Sequence, residues 1–231
     1  MKQALCDGLN RLGIKLNETL VDRLIRFGEA VLEKNRVMNL TAITDPAQAA
    51  ELHLLDSLTL RRVIPLAGKT LLDVGTGAGF PGVPLKIAEP SIRLTLLDSL
   101  QKRMNWLETE ALPALGVEAD LLTGRAEDFA AAHREQFDVV TSRAVARLNL
   151  LSELCLPYVR VGGYFLAMKG AQAEEELHEA TNAIQRLGGA WERTEVFEIA
   201  GALHSVIVIR KLSHTPQQYP RQWSRIKQKP L

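Results

Sequence analysis

The chain has 231 residues, 46% of them hydrophobic, with 28 Lys and Arg against 27 Asp and Glu. That length supports one large α/β domain, or a domain with an appendage, around a sizeable core. The near-zero net charge excludes a global nucleic-acid signature, so any basic surface must be local. Two cysteines, Cys6 and Cys155, lie far apart and outside any CxxC pattern. They disfavour a disulfide framework and a zinc site, and point to a reducing cytosol. Asp7 and Arg11 interrupt the first apolar residues, so no signal peptide is expected. No stretch approaches the ~20 apolar residues of a membrane span.

In chain order, residues 3–13 read as a short amphipathic helix. A longer helix follows, capped by Asn17 and ending near Arg36, with Leu20, Leu24, Phe27 and Val31 at helical spacing. An uncharged turn, Met38 to Thr44, leads to Asp45-Pro46, which opens a helix through Leu60 that carries His53, Asp56 and Ser57. His53 lies just upstream of the next strand and is a candidate for the substrate entrance.

From residue 70 strands and helices alternate. Thr70 to Val74 reads as a buried strand ending in Asp73 and running into Gly75, Gly77 and Gly79; a helix is expected from about Val83. Strand, glycine loop and helix make a nucleotide-type cofactor site. The literal GxGxxG, Gly77 to Gly82, is weak evidence for NAD because it starts three residues after Val74. A carboxylate at Asp73 also sets like charge against a pyrophosphate. The same carboxylate suits S-adenosylmethionine, which carries an ammonium group and no phosphate.

Arg93 to Asp98 is a second strand ending in an acid, 23 residues after Gly75, where a carboxylate grips ribose hydroxyls. A helix over 101–112 and a third strand, Val117 to Leu122, precede Ala126 and Glu127. There the small side chain leaves room for a base, and the backbone can read its edge. Phe137 to Thr141 delivers Ser142-Arg143-Ala144 to the carboxyl edge of the sheet. No Asn/Asp-Pro-Pro-aromatic run for amine methylation stands there, and neither cysteine is placed for pyrimidine C5 chemistry. A cation stands there instead, able to hold an acid, a phosphate or the O6/N7 edge of guanine. Lys169 closes a fifth strand at the same edge. After a helix over 174–187, Trp191 to Ile199 and His204 to Ile209 are joined so closely that they must pair antiparallel. Residues 211–231 hold five Lys and Arg, no acid, Tyr219 and Trp223. They read as a basic tail with little regular structure, suited to RNA contact.

Asn39 to Ile43, His53 to Leu58, Leu72 to Gly82, Leu97 to Arg103, Ser142 to Ala144 and Met168 to Gly170 occur in order. Together they resemble the bacterial ribosomal RNA small subunit methyltransferase G family, also called glucose-inhibited division protein B. The resemblance covers about residues 20–212. It implies a doubly wound, seven-stranded, mostly parallel α/β sheet with an N-terminal helical extension. It also implies a cytoplasmic enzyme that uses S-adenosylmethionine to methylate N7 of a guanosine in the 530 loop of 16S rRNA.

Cofactor contacts are expected at Asp73 (ammonium), Gly75, Gly77, Gly79, Phe80, Asp98 (ribose), Ala126, Glu127 (adenine) and Arg143. Arg143 and Lys169 are the candidate catalytic residues. Asn39, His53, Lys169 and Arg221 are the candidate contacts to 16S rRNA or the small subunit, and no metal is expected. The chain divides into a helical extension (1–66), a core (67–212) and a basic tail (213–231), with a monomer expected. A nicotinamide-dependent oxidoreductase and a non-catalytic RNA-binding factor are the rival readings.

Overall fold

A seven-stranded sheet in the order β3-β2-β1-β4-β5-β7-β6 organises the computed structural model, which describes residues 1–143 and 145–231. Its strands are β1 (Thr70–Val74), β2 (Arg93–Asp98), β3 (Asp120–Thr123), β4 (Phe137–Arg143), β5 (Val159–Lys169), β6 (Gly189–Ile199) and β7 (Ala202–Lys211). β1 to β5 run parallel, whereas β7 pairs antiparallel with both β5 and β6. The order reverses between β1 and β4, and in open α/β sheets ligands bind at the carboxyl ends beside that switch.

Alternate residues of each strand serve opposite layers. Leu71, Leu96, Val139, Leu166 and Val208 share one apolar cluster with the N-terminal helices α1 (Lys2–Leu12) and α2 (Glu18–Met38). Leu72, Leu97, Val140, Phe165 and Ile209 face the other cluster. The period of two puts one apolar set on each face of the sheet, and both sets are covered.

Local chemistry sets the helix ends. Asn17 accepts the Leu20 N–H at 2.9 Å to start α2, and Asn39, at φ 53°, ends it in the left-handed region. Asp45 caps α3 (Pro46–Ala49) through the Gln48 N–H. The helix then widens into a π turn over Ala50–Leu55 before α4 (Asp56–Leu58) and α5 (Leu60–Val63). After the sheet's first strand comes α6 (Gly82–Ala88). The helix over 101–112 extends further, as α7 (Gln101–Trp106), a π turn over Leu107–Ala111, and α8 (Leu112–Leu115).

Two expectations shift. The third strand starts at Asp120 rather than Val117, because Gly116 turns left-handed and the Val117 N–H closes α8 on the Leu112 carbonyl. Residues 213–231 are no loose tail. After α9 (Ala126–Phe129), α10 (Leu148–Cys155) and α11 (Ala173–Arg186), they cross the far layer and form α12 (Trp223–Gln228). Tyr219 and Ile226 are buried there.

Candidate functional site

β1 ends below a turn that its own carboxylate holds. Asp73 is fully buried and accepts the Thr76 hydroxyl at 2.7 Å and the Gly82 N–H at 2.9 Å. A side chain at Gly82 would bring its Cβ within 3.0 Å of the Asp73 carboxylate and 2.6 Å of Leu96. Only a glycine lets that N–H approach. Burial pushes the Asp73 carboxyl up to about 6, against the pull of the two donors. Among the described residues its Oδ1 has no partner. Asp73 therefore lies beneath the loop and not on the cavity wall where an ammonium contact was expected. The loop's own donors both hold its Oδ2.

Above it, the Gly75 and Thr76 N–H groups both donate to the Leu97 carbonyl, at 2.7 and 3.1 Å. Gly75 has φ 72°, and a Cβ there would strike the Val145 side chain at 2.3 Å. Gly75, Gly77 and Phe80 line a cavity of about 490 Å³, a volume suited to a nucleoside-sized ligand. Gly79 is buried behind the turn and is not a lining residue.

At the end of β2, Asp98 accepts the Gly77 N–H at 2.8 Å on one oxygen and the Leu100 N–H at 2.9 Å on the other. Each carboxylate oxygen has a second acceptor site, and Asp98 lines the cavity. Beyond β3, Ala126 and Glu127 continue the wall. The Tyr158 hydroxyl donates to the Ala126 carbonyl and fixes that part of the wall. Glu127 is held by Arg125 at 2.6 Å.

The opposite end of the cavity is a hydrogen-bonded network around Arg143. Its guanidinium donates to the Leu52 carbonyl at 2.8 Å and to Asp56 at 3.1 Å, and lies 3.2 Å from His53 Nδ1. It also sits 5.2 Å over the Phe80 ring, on which His53 stacks at 4.7 Å. Arginine only donates, so His53 Nδ1 must be the acceptor and its proton sits on Nε2. That Nε2–H donates to Thr41 Oγ1 at 2.8 Å. Burial, aided by the Arg143 charge, pushes His53 down to about 4, which keeps it neutral near pH 7. Thr41 Oγ1 also accepts the Ile43 N–H, so the Thr41 hydroxyl proton is left to donate. The second Asp56 oxygen accepts from His204 Nδ1 at 2.9 Å, and this hydrogen bond raises the His204 pKa.

One cavity thus joins Gly75, Gly77, Phe80, Asp98, Ala126, Glu127, Arg143 and His53. Three other expected residues stay outside it. The Lys169 ammonium is ion-paired with Glu176 at 2.7 Å and donates to the Ala146 carbonyl, its side chain only 7% exposed. Asn39 is exposed at the end of α2, next to the lining residues Leu40 and Thr41. Arg221 is paired with the buried Glu153 at 2.6 Å. Ala144 lies outside the described residues.

Sequence reasoning did not assign Thr41, Asp56 or His204, and it put Trp223 in a tail suited to RNA contact, whereas Trp223 lines the cavity. Thr41 and Asp56 stand inside the quoted motifs and so carried a signal. No spacing rule ties His204 to Asp56, 148 residues away.

A family model described as rRNA small subunit methyltransferase G matches residues 20–204. The ribosomal RNA small subunit methyltransferase G of Clostridium kluyveri is 43% identical over 223 residues, covering 95% of this chain and 94% of that protein. The protein of the same name from Alkaliphilus metalliredigens is 44% identical over 236 residues, covering 100% of this chain and 98% of that protein. Among solved structures, TrmN from Thermus thermophilus is similar in fold. Its TM-score is 0.55 at 22% identity, over 68% of this chain and 48% of that one.

Proposed function

The chain belongs to the rRNA small subunit methyltransferase G family, and from that premise we propose that it methylates N7 of a guanosine in the 530 loop of 16S rRNA, using S-adenosylmethionine. The observation that carries the reading is the single cavity that runs from Asp98 and the glycine turn to Arg143, His53 and Thr41. The residues fit the cofactor. Asp98 faces the cavity with acceptor sites for two ribose hydroxyls, Gly75 and Gly77 let a ligand touch the main chain, and Ala126 leaves room for a base. When bound, the cofactor supplies an electrophilic methyl group on a sulfonium.

Guanine N7 carries a lone pair and no proton, so its methylation needs placement and no general base. The cavity suits that requirement. His53 spends its one acceptor nitrogen on Arg143, and Glu127 is engaged by Arg125. Arg143 has five N–H donors and spends three on Leu52, Asp56 and His53. Its charge suits a carboxylate of the cofactor or the O6/N7 edge of guanine. The Thr41 hydroxyl adds a neutral donor at the same end. Orientation of this kind supplies up to about 7–11 kcal/mol in favourable cases. The substrate implies a cytoplasmic enzyme, and we read it as a monomer.

Radiolabelled S-adenosylmethionine with purified small subunits that lack the modification tests the reading. Label mapping to N7 of one guanosine in the 530 loop is the expected result; label on another base, or none, overturns it. Asp98→Ala should weaken binding of S-adenosylhomocysteine by about 100-fold or more in calorimetry, the scale of two lost hydrogen bonds to a charged group.

A further inference from the structure

Residues 211–223 are anchored by buried charges. The Lys211 ammonium is fully buried, donating to the Leu156 carbonyl at 2.7 Å and to the Thr215 hydroxyl at 2.5 Å, with Glu135 at 3.3 Å. Arg134 donates to the carbonyls of Thr215, Pro216 and Tyr219 at 2.7, 2.9 and 2.8 Å. Glu153, fully buried on α10, accepts Arg221 Nε at 2.8 Å, Nη2 at 2.6 Å and its backbone N–H at 2.8 Å. Buried charges are costly unless paired and hydrogen-bonded. Here each is, so the segment is fixed in place.

The residue this anchoring delivers is Trp223. It is half-buried and lines the cavity beside Ala126 and Leu154. The Arg125 guanidinium lies 5.1 Å over its ring while donating to Glu127 at 2.6 Å. A cation over one face of an indole is a favourable arrangement, and it stiffens the wall.

We propose that Trp223 is a cofactor-binding residue, an aromatic wall against which the adenine of S-adenosylmethionine packs. This rests on the cofactor reading above. Place in the sheet favours the cofactor over an RNA base. Trp223 stands at the β3 end of the cavity, and the Arg143 network at the β4 end, with β2 and β1 between them. The smallest side chains of the cavity at that end, Gly124 and Ala126, leave room for a flat base beside the indole.

The test uses the full chain as wild type, Trp223→Ala and Trp223→Phe, with S-adenosylhomocysteine and adenosine as probes in calorimetry and tryptophan emission. Loss of an aromatic stacking partner changes base affinity by about 5- to 150-fold. Trp223→Ala should weaken both probes by the same factor in that range, and Trp223→Phe should keep most of the affinity. The other tryptophans are the buried Trp106 and the exposed Trp191. The ligand-induced emission change should therefore vanish in Trp223→Phe. Wild-type affinity in Trp223→Ala, or a full emission change in Trp223→Phe, overturns the proposal; should the alanine variant not fold, the emission result decides alone. Lost affinity for small-subunit RNA with unchanged affinity for both probes reassigns Trp223 to the substrate and likewise overturns it. A wild-type protein that binds neither probe removes the cofactor reading itself, and the proposal with it.

Discussion

The two extensions of the sheet close the same cavity from opposite ends and by different means. The N-terminal helices share a continuous apolar cluster with the sheet, and on it rests one polar network, Asp56 with Arg143, His53 and His204. The C-terminal segment buries less, chiefly Tyr219 and Ile226, and is fixed by Arg134, Lys211 and the Arg221–Glu153 pair. At one end polar groups are positioned by packing; at the other an aromatic group is positioned by polar anchors. A charge near the cavity is therefore not by itself a sign of substrate contact. Arg143 faces the cavity, whereas Arg221 serves the fold.

The contrast breaks most visibly at Arg221. Arg221→Ala leaves the Glu153 carboxylate buried without its partner and should cost about 3–5 kcal/mol, roughly 10 °C of melting temperature. An unchanged melt with weaker RNA binding would return Arg221 to the substrate and erase the distinction. Next comes Arg143→Ala. Asp56 keeps His204 as a partner, so the melt should move less than in Arg221→Ala. Methyl transfer should fall by about 100-fold, as expected when reacting groups are misplaced by about 1 Å. Equal losses of stability in the two variants would show that both arginines are structural.

The contrast between the two ends extends to pH. His53 falls from 6.5 to about 4 on folding, so the unfolded chain takes up a proton that the folded one refuses. Its contribution is present above pH 6.5 and is lost as the pH falls toward 4. Lys211 falls from 10.5 to about 8. Its contribution is present above about pH 10.5 and is lost as the pH falls toward 8. Urea unfolding across pH should show His53→Gln flattening only the acid window and Lys211→Met only the alkaline one. A variant that flattens the other window would couple the two ends.

How legible each region was follows from the range of its contacts. β1 and β2 have the bounds their apolar runs suggest, and the β6–β7 hairpin follows from its short turn. These signals are local. The cavity residues closest to the turn, Gly75, Gly77, Phe80 and Asp98, were legible because strand, glycines and acid stand in one stretch. The direction of the Asp73 side chain was not, because it depends on the Thr76 and Gly82 donors that hold its Oδ2 beneath the loop. Lys169 pointed to the right sheet edge, but Glu176 on α11 takes its ammonium. Of the five basic residues in 211–231, Arg225, Lys227 and Lys229 are exposed as expected, whereas Lys211 and Arg221 are tied into the fold. The partners that hold the segment, Glu153 and Arg134, lie 68 and more residues upstream.

The π turn over Ala50–Leu55 has a consequence for chain length in this helix. A π turn is an α-helix carrying one extra residue. The extra residue is absorbed within the turn, so the helix on either side keeps nearly the register it would have without it. What changes is local. The Asp56 N–H donates to the Glu51 carbonyl, which leaves the Leu52 carbonyl to accept from Arg143. Deleting a single residue there would restore ordinary helix geometry and draw the Leu52 carbonyl back to a helix N–H. The irregular turn is therefore the source of a free main-chain acceptor, and a shortened chain would gain helix regularity while losing one of the contacts that hold Arg143.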